Sequence, residues 1–223
     1  MAGDFVYSWQ RLVDPKTASE YAWYMELMQV ANASEIIAGK LPPTDLGVKA
    51  IDDHTLEVKI LAPLPYLPKM LTHSSTFPAP KATIEKFGAD WTKPENIVGN
   101  GAYILKEHIL GEKIVMEKSP TYWDAANVIM SPVTGVTVND ENAALTRYQA
   151  GELDRTQVPA GQYPRLKAEF PDEAISTPYS CSYIYWMNLA DGKGNPALKD
   201  VRVREALSYA LDRDIIVNNV LQG

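Results

Sequence analysis

The stretch from Asn195 to Ile216 constrains the fold more than any other part of the sequence, because it describes two consecutive helices together with their caps. Either Asn195 or Asp200 can cap the first helix, since a short polar side chain accepts a hydrogen bond from an unpaired backbone N–H of the first turn. Asp212 can cap the second helix in the same way. The first helix carries an apolar stripe at helical spacing, formed by Val201, Ala206, Leu207, Ala210 and Leu211.

The rest of the chain alternates between helical and strand-like patterns, which predicts a mixed α and β fold. Apolar residues at helical spacing predict helices over residues 4–13, 21–28, 34–39, 64–71, 81–87, 141–150 and 163–170. Alternation at period two on either side of a turn predicts hairpins that pair 48–51 with 55–60 and 104–108 with 113–118. Further strands are predicted at 76–77, 133–138, 152–154 and 175–188.

Composition excludes several classes of protein. A chain of 223 residues is long enough for one large or two small domains, and 46% hydrophobic with 22% charged residues is typical of a soluble globular protein. The net charge of −7 argues against a nucleic-acid surface, which needs clustered Lys and Arg. No apolar run reaches the length of a membrane span. Cys181 is the single cysteine, so the chain cannot build a disulfide or a cysteine metal site by itself.

The sequence gives little support to an enzyme. His54, His73 and His108 lie far apart on unrelated elements, and no nucleophile elbow, zinc-protease motif or P-loop is present. Cys181 with a distant histidine could mimic a cysteine hydrolase, but its apolar strand-like setting fits an inert cysteine better. Paired carboxylates for glycoside hydrolysis need no fixed spacing and stay open. We expect no catalytic residues, no metal site and no cofactor.

Six strings in order along the chain carry a resemblance to a known family. They lie at 4–17, 43–58, 100–103, 122–124, 148–154 and 200–213, among them Asn-Gly-Ala-Tyr, Tyr-Trp-Asp and Tyr-x-x-Gly-Glu-x-Asp. In this order they resemble motifs of the oligopeptide-binding proteins, the extracytoplasmic receptors of peptide ABC importers. The resemblance covers nearly the whole chain.

The resemblance implies a periplasmic-binding-protein-like class II α/β fold and a receptor function. Such a receptor captures short peptides in extended form between two lobes, through main-chain hydrogen bonds and hydrated side-chain pockets. It delivers them to the permease complex of an ABC importer in the membrane. The resemblance implies neither a cofactor nor a nucleic-acid partner. Met1-Ala2-Gly3 leads directly into a predicted helix, so no signal peptide is expected here. This expected absence has two explanations: either the protein is cytoplasmic, or the absence reflects where this chain starts. The resemblance indicates a periplasmic location.

By resemblance, the chain is expected to be an internal fragment with incomplete lobes. Residues 1–78 would be part of a small lobe, 79–180 part of the first large lobe, and 181–223 the start of the second large lobe, with a boundary near Pro78. Cys181 matches a structural cysteine that pairs with one outside this chain. We expect the isolated chain to be marginally stable or to associate through exposed lobe surfaces.

The resemblance also implies candidate peptide-binding residues. Tyr21 resembles a cleft tyrosine of the small lobe, and Tyr179 resembles a second one. Tyr183 lies where the family places groups near the ligand, and Gln157 and Val158 follow the strand that enters the cleft. The alternative is that the aromatic residues simply pack on a hydrophobic strand.

Two departures from the family pattern leave the ligand open. Ile184 and Trp186 interrupt a run that is usually richer in tyrosine, and Gln157-Val-Pro159 stands where a Tyr-Asn pair is common. A murein-type peptide or another small solute therefore stays an alternative ligand. From other classes, a hydrolase or a chaperone-like peptide-interaction module stays an alternative function. The residue that pairs with the peptide amino terminus belongs to a segment outside this chain.

Overall fold

Helix α1 (Ala2–Val13) is the element around which the first 70 residues pack in the computed structural model, which describes residues 1–221. Its inner face buries Trp9 and Val13, each 1% exposed. The helix ends at Val13 because Pro15 follows and has no N–H to continue the hydrogen-bond ladder. The indole N–H of Trp9 donates to the carbonyl of Thr76 at 2.9 Å, so the one polar atom of this buried ring is satisfied.

Two short helices and a hairpin complete this core. Helices α2 (Trp23–Leu27) and α3 (Ala33–Ile37) follow α1, and strands β1 (Val48–Ala50) and β2 (Leu56–Val58) pair antiparallel with Lys49 opposite Glu57. Their inward residues form one cluster with α1, in which the most completely buried are Met25, Met28, Val30 and Ile36. This cluster is the largest apolar core among the described residues.

Three backbone segments are joined by hydrogen bonds beside the hairpin. Gly47 N–H donates to the carbonyl of Ala31 at 2.8 Å, Ala31 N–H to Lys59 at 2.9 Å, and Lys59 N–H to Gly47 at 2.8 Å. The segments come so close that a Cβ atom added at Gly47 would lie 2.8 Å from the Ala31 Cβ and 3.0 Å from the Lys59 carbonyl. Only glycine fits at this position without moving the backbone.

The remainder of the first half contains two helices and a three-stranded antiparallel sheet. Helix α4 (Leu67–Met70) and helix α5 (Lys81–Phe87) precede strands β3 (Tyr103–Ile109), β4 (Lys113–Lys118) and β5 (Val133–Val136), which lie in the order β3-β4-β5. Gly111 has φ +75° in the β3–β4 turn, a conformation that glycine adopts without strain. Single 3₁₀ turns lie at Pro43–Asp45, Ser74–Thr76, Gly88–Thr92 and Ala125–Asn127.

The regular elements of the second half are helices, joined by long extended segments. Helices α6 (Glu141–Gln149) and α7 (Tyr163–Glu169) pack around Leu145, Leu166 and Ala174. A long extended run leads to a 3₁₀ turn (Pro196–Lys199), helix α8 (Val201–Tyr209) and helix α9 (Arg213–Ile215), which continues as a π-helix (Ile216–Leu221). None of the helices in residues 1–221 combines the length and the apolar character that crossing a bilayer requires.

The chain divides into two units, Met1–Val136 and a second one that begins at Thr137. We refer to them as the first and the second unit and describe each by itself. The lobe boundaries expected at residues 78 and 180 stay predictions.

The predicted helices and both hairpins are confirmed, and so are the caps. Asn195 and Asp200 both serve as caps. Asn195 accepts from the Ala197 N–H and caps the 3₁₀ turn, whereas Asp200 accepts from the Arg202 N–H and caps α8. Asp212 caps α9 through the N–H of Ile215 at 3.0 Å. Each cap is a contact within a few residues, which is why the sequence predicts it well.

Three predicted strands are wrong. At 76–77 the chain forms a 3₁₀ turn, because the Thr76 hydroxyl bonds back to the carbonyls of Leu71 and His73 at 2.9 and 2.8 Å. After the Gly151 turn, Glu152 pairs with Arg147 at 2.9 Å and stays beside α6. Residues 175–188 are extended, but no other segment of residues 1–221 pairs with them, so they form no ladder.

The apolar stripe of α8 lies at the surface of the second unit. Val201 and Leu207 are 51% and 47% exposed, and no described residue of α8 is buried. Leu211, predicted as part of the same stripe, lies just beyond the helix and is 46% exposed. Helical periodicity therefore predicts the helix correctly, whereas burial of its stripe does not follow from it.

Gly47→Ala is expected to lower the free energy of unfolding by about 1–3 kcal/mol, because the added methyl group overlaps Ala31 and the Lys59 carbonyl. Urea unfolding followed by circular dichroism measures the change. Gly135→Ala is the matched control, since a Cβ at Gly135 meets nothing within 4 Å. Equal stability of the two variants would contradict the close approach at Gly47.

Candidate ligand-binding site

Tyr21 lies at the surface of the first unit, at the entry to α2. Its backbone N–H donates to the Ser19 hydroxyl at 3.3 Å, and its carbonyl accepts from the Tyr24 N–H at 3.0 Å. Both backbone polar groups of Tyr21 are therefore hydrogen-bonded. The ring is 47% exposed. Its hydroxyl has no hydrogen-bond partner among residues 1–221, which leaves it free to bond to a ligand.

Tyr21 belongs to an aromatic patch formed with Trp23, Tyr24 and His73. The His73 ring stacks on Tyr24 at a centroid distance of 4.3 Å, and the Tyr21 centroid lies 5.2 Å from His73 and 6.1 Å from Trp23. Tyr24 is the buried base of the patch, and its hydroxyl donates to the Met70 carbonyl at 3.0 Å. Tyr21 and Trp23 therefore present half-exposed rings on a fixed support.

His73 is held in place by the turn that follows it. Its Nδ1 accepts from the Ser75 N–H at 3.3 Å and lies 2.8 Å from the Ser75 hydroxyl. Because Nδ1 is an acceptor, the proton of the neutral ring is on Nε2. The carbonyl of Thr76, three residues after His73, accepts the hydrogen bond of the Trp9 indole. This bond connects the patch to the buried core.

Gln157 and Val158 line a groove of about 530 Å³ in the second unit. Val158 is half-buried and packs against the cluster of Leu145 and Leu166, whereas Gln157 is exposed. Ile175 and Thr177, at the start of the extended run, line the same groove. The groove thus combines an apolar floor with polar groups at its rim, as ligand pockets commonly do.

A hydrogen-bonded pair lies at the edge of this groove. The Tyr148 hydroxyl donates to the Glu173 carboxylate. This hydrogen bond raises the pKa of Tyr148 above its ordinary value, and partial burial and the negative charge of Glu173 act in the same direction. The pair fixes helix α6 to the segment that follows α7.

Tyr179 and Tyr183 lie on the extended run of residues 175–188 and are 88% and 90% exposed. The Tyr183 ring meets Tyr185 edge to face at 5.8 Å. No backbone–backbone hydrogen bond within residues 1–221 involves residues 175–187. The Ser182 carbonyl accepts from the Cys181 thiol at 3.9 Å, and the other backbone groups of this run are open to a partner. Cys181 lies between the two tyrosines as an exposed free thiol, and its expected structural role stays a prediction.

The structure brings only some of the predicted site residues together. Gln157 and Val158 share the groove, whereas Tyr179 and Tyr183 lie further along the extended run and are not among its lining residues. Tyr21 belongs to the first unit. Sequence reasoning missed His73 as the partner of Tyr21 and Tyr24, and it missed the Tyr148–Glu173 pair. The only available signal was the run of aromatic residues at 21–24.

Residues 1–221 contain no group of three or more His, Cys, Asp or Glu side chains placed to hold a metal ion. The polar groups of the candidate site are instead hydroxyls, amides and open backbone. Such groups bind by hydrogen bonding.

A family model described as bacterial extracellular solute-binding proteins, family 5 Middle, matches residues 1–223. The chain belongs to this family. The chain is 52% identical over 221 residues to the periplasmic oligopeptide-binding protein OppA of Escherichia coli, covering 98% of this chain and 40% of that protein. It is 43% identical to the periplasmic murein peptide-binding protein MppA of E. coli, covering 99% of this chain and 40% of that protein.

Solved structures of family 5 proteins confirm the predicted fold class, a mixed α and β fold of the periplasmic-binding-protein-like class II. OppA of Burkholderia pseudomallei superposes with a TM-score of 0.92 at 44% identity, covering 99% of this chain and 43% of that one. OppA of Haemophilus influenzae in complex with RPPGFSPFR gives 0.88 at 38% identity, with the same coverage of 99% and 43%. The chain thus spans about 40% of the length of the relatives it matches.

The Tyr148–Glu173 pair predicts a measurable titration. Subtracting the tyrosinate absorbance of Tyr148→Phe from that of the chain isolates the Tyr148 phenol, and we expect it to ionise above the ordinary tyrosine pKa. Glu173→Gln should move its pKa down, because it removes the carboxylate that accepts the hydrogen bond. A difference titration at the ordinary tyrosine pKa would contradict the pair.

The same pair sets the sign of a pH dependence. The folded pKa is raised, so the neutral phenol contributes stability that is fully present below the unfolded value of about 10. That contribution is lost as the pH rises through the folded pKa. Tyr148→Phe should remove this part of the alkaline loss, which urea unfolding at a series of pH values measures.

Proposed function

We propose that this chain forms part of an extracytoplasmic receptor that captures short peptides in extended form and delivers them to an ABC importer. The observation that carries the proposal is the extended run of residues 175–188. Its backbone makes no backbone–backbone hydrogen bond through residue 187, and its tyrosines are exposed. A peptide in extended form can bond to such a backbone as an added strand. The family resemblance implies the same mode of binding, in which main-chain hydrogen bonds hold an extended peptide.

Recognition of the main chain explains how one site can accept many sequences. Every peptide offers the same alternating N–H and C=O groups, so strand addition carries little information about side chains. The groove of about 530 Å³ beside Gln157 and Val158 is large enough for a side chain together with water. Ordered water can then fill what a small side chain leaves empty.

The aromatic patch supports the proposal from the first unit. The free hydroxyl of Tyr21 can bond to a ligand backbone, and the exposed rings of Tyr21 and Trp23 can cover apolar side chains. Their positions are fixed by Tyr24 and His73, which reduces the entropy lost on binding.

The partners and location follow from the same proposal. The receptor works in the periplasm, like the periplasmic relatives OppA and MppA, and it passes its peptide to a membrane permease complex. It binds without catalysis, and no nucleic acid, metal or cofactor takes part.

A different solute is the second candidate, because one relative is described differently. The probable deoxycholate-binding periplasmic protein YgiS of E. coli is 43% identical to this chain, as high as the murein peptide-binding relative. The apolar floor of the second-unit groove, formed by Leu145, Val158 and Leu166, would suit such an apolar ligand. The titration below includes deoxycholate for this reason.

Calorimetric titration of the folded chain with mixed tri- and tetrapeptides tests the proposal. We expect saturation at one peptide per chain, and we expect N-methylation of the peptide amides to abolish binding because it removes the main-chain donors. Exchange of the peptide side chains should change the affinity much less. Saturation by deoxycholate alone, or no heat with either ligand, would contradict peptide binding by these residues.

Tyr21→Ala and Tyr179→Ala are each expected to weaken peptide binding by about tenfold, the cost of roughly one hydrogen bond plus one aromatic contact. Tyr66→Ala and Tyr209→Ala are matched controls, since they remove tyrosines that are 53% and 87% exposed outside these sites. Tyr21→Phe separates the hydroxyl from the ring. Losses of equal size in the controls would show that the effect is not local.

We also expect the 223-residue chain to associate with itself through exposed apolar surface, of which α8 with Val201 and Leu207 is one part. Sedimentation velocity over a range of concentrations measures this. A monodisperse monomer that melts cooperatively would contradict the expectation.

A further inference from the structure

We propose that a hydroxyl-rich pocket of the first unit binds an oxyanion, a group such as phosphate or carboxylate whose negative charge is shared among oxygen atoms. The cavity has a volume of about 240 Å³. Its polar lining comes from one cation and five hydroxyl residues: Arg11, Ser8, Thr17, Ser19, Ser74 and Ser75. We call it the Arg11 pocket.

The charge of the pocket is the first reason. Arg11 lies in the last turn of α1, and its guanidinium makes no ion pair or hydrogen bond with any residue of 1–221. No Asp or Glu is among the residues that line the cavity. A guanidinium offers a rigid fork of donors that matches the geometry of carboxylate and phosphate. Arg11 is thus the one charged residue of the cavity lining, and no carboxylate of the lining pairs with it.

Spare hydroxyl donors are the second reason. The Ser19 hydroxyl accepts from the Tyr21 N–H, so its own proton is available. Within residues 1–221, the hydroxyls of Thr17 and Ser74 have no hydrogen-bond partner. Three O–H donors therefore supplement the guanidinium.

The other two hydroxyls are already engaged. Ser8 donates to the Phe77 carbonyl at 2.9 Å, and the Ser75 hydroxyl bonds to His73 Nδ1 at 2.8 Å. These bonds fix the wall of the cavity and leave the donors of Thr17, Ser19 and Ser74 for a ligand. A neutral ligand would use the hydroxyls but not the charge, which is why we favour an anion.

The size of the cavity agrees with this ligand. A water molecule occupies about 30 Å³ in the liquid. The Arg11 pocket is several times larger, so it can hold an oxyanion together with water molecules that complete its hydrogen bonds. The apolar part of the lining, which includes Trp91, excludes further water on one side.

Two sources could supply the oxyanion. One is free inorganic phosphate. The other is the carboxylate of a peptide, because the Ser19 hydroxyl bonds to the backbone of Tyr21 and the pocket therefore adjoins the aromatic patch. Only this second source rests on the proposed peptide-binding function.

Equilibrium dialysis of the chain against radiolabelled inorganic phosphate, at an ionic strength fixed with chloride, tests the pocket. We expect saturable binding of one phosphate per chain. Arg11→Gln should weaken it by about tenfold or more, since a hydrogen bond between charged groups is lost. Arg11→Lys should fall in between because it keeps the charge without the fork, and Ser74→Ala should cause a smaller loss.

Lys40→Gln is the matched control. Lys40 is also an exposed cation without an ion pair among residues 1–221, and it does not line this pocket. Circular dichroism melts check that each variant is folded. Equal losses in Lys40→Gln and Arg11→Gln would overturn the inference, because general electrostatics would then explain the binding.

Calorimetry with a tripeptide free acid and its C-terminal amide distinguishes the two sources. If the peptide supplies the oxyanion, the free acid binds more tightly, and Arg11→Gln removes the preference. Phosphate binding without such a preference assigns the pocket to the free ion. Absence of both phosphate binding and the preference overturns the proposed pocket, even where peptide binding itself is intact.

Discussion

The hydrogen bond from the Trp9 indole to the carbonyl of Thr76 is the contact on which the site of the first unit depends. It joins α1 to a turn 67 residues later in the chain, inside the apolar core. The same turn carries His73, which supports the rings of Tyr21 and Tyr24, and Ser74, which lines the Arg11 pocket. Loss of this bond would leave the buried Thr76 carbonyl without its indole donor. It would also loosen the turn that contributes to both the aromatic patch and the Arg11 pocket.

Features set by neighbours in sequence could be predicted from the sequence. Asp200 and Asp212 cap helices because their side chains reach N–H groups two or three residues ahead. The helix at 81–87 and the hairpin closed near Gly111 likewise follow from spacing and turn residues alone. The family resemblance added the fold class, which local patterns could not supply.

Features set by distant residues could not be predicted in the same way. An apolar run at 175–188 is suited to a strand, but a strand exists only when a partner pairs with it, and residues 1–221 provide none. The aromatic patch forms because the core brings His73 to residues 21–24, and no spacing in the sequence indicates that meeting. The resemblance implied Gln157 and Val158 as candidate site residues, which stays a prediction, whereas no pattern in the sequence indicated that the His73 ring lies beside Tyr21.

Cys181 makes the extended run suitable for site-specific labelling. It is the single cysteine of the chain, its thiol is exposed, and it lies midway between Tyr179 and Tyr183. A fluorescent dye attached there would occupy one defined position beside the open backbone. The chain therefore carries a natural attachment point for an optical reporter, without any engineered residue.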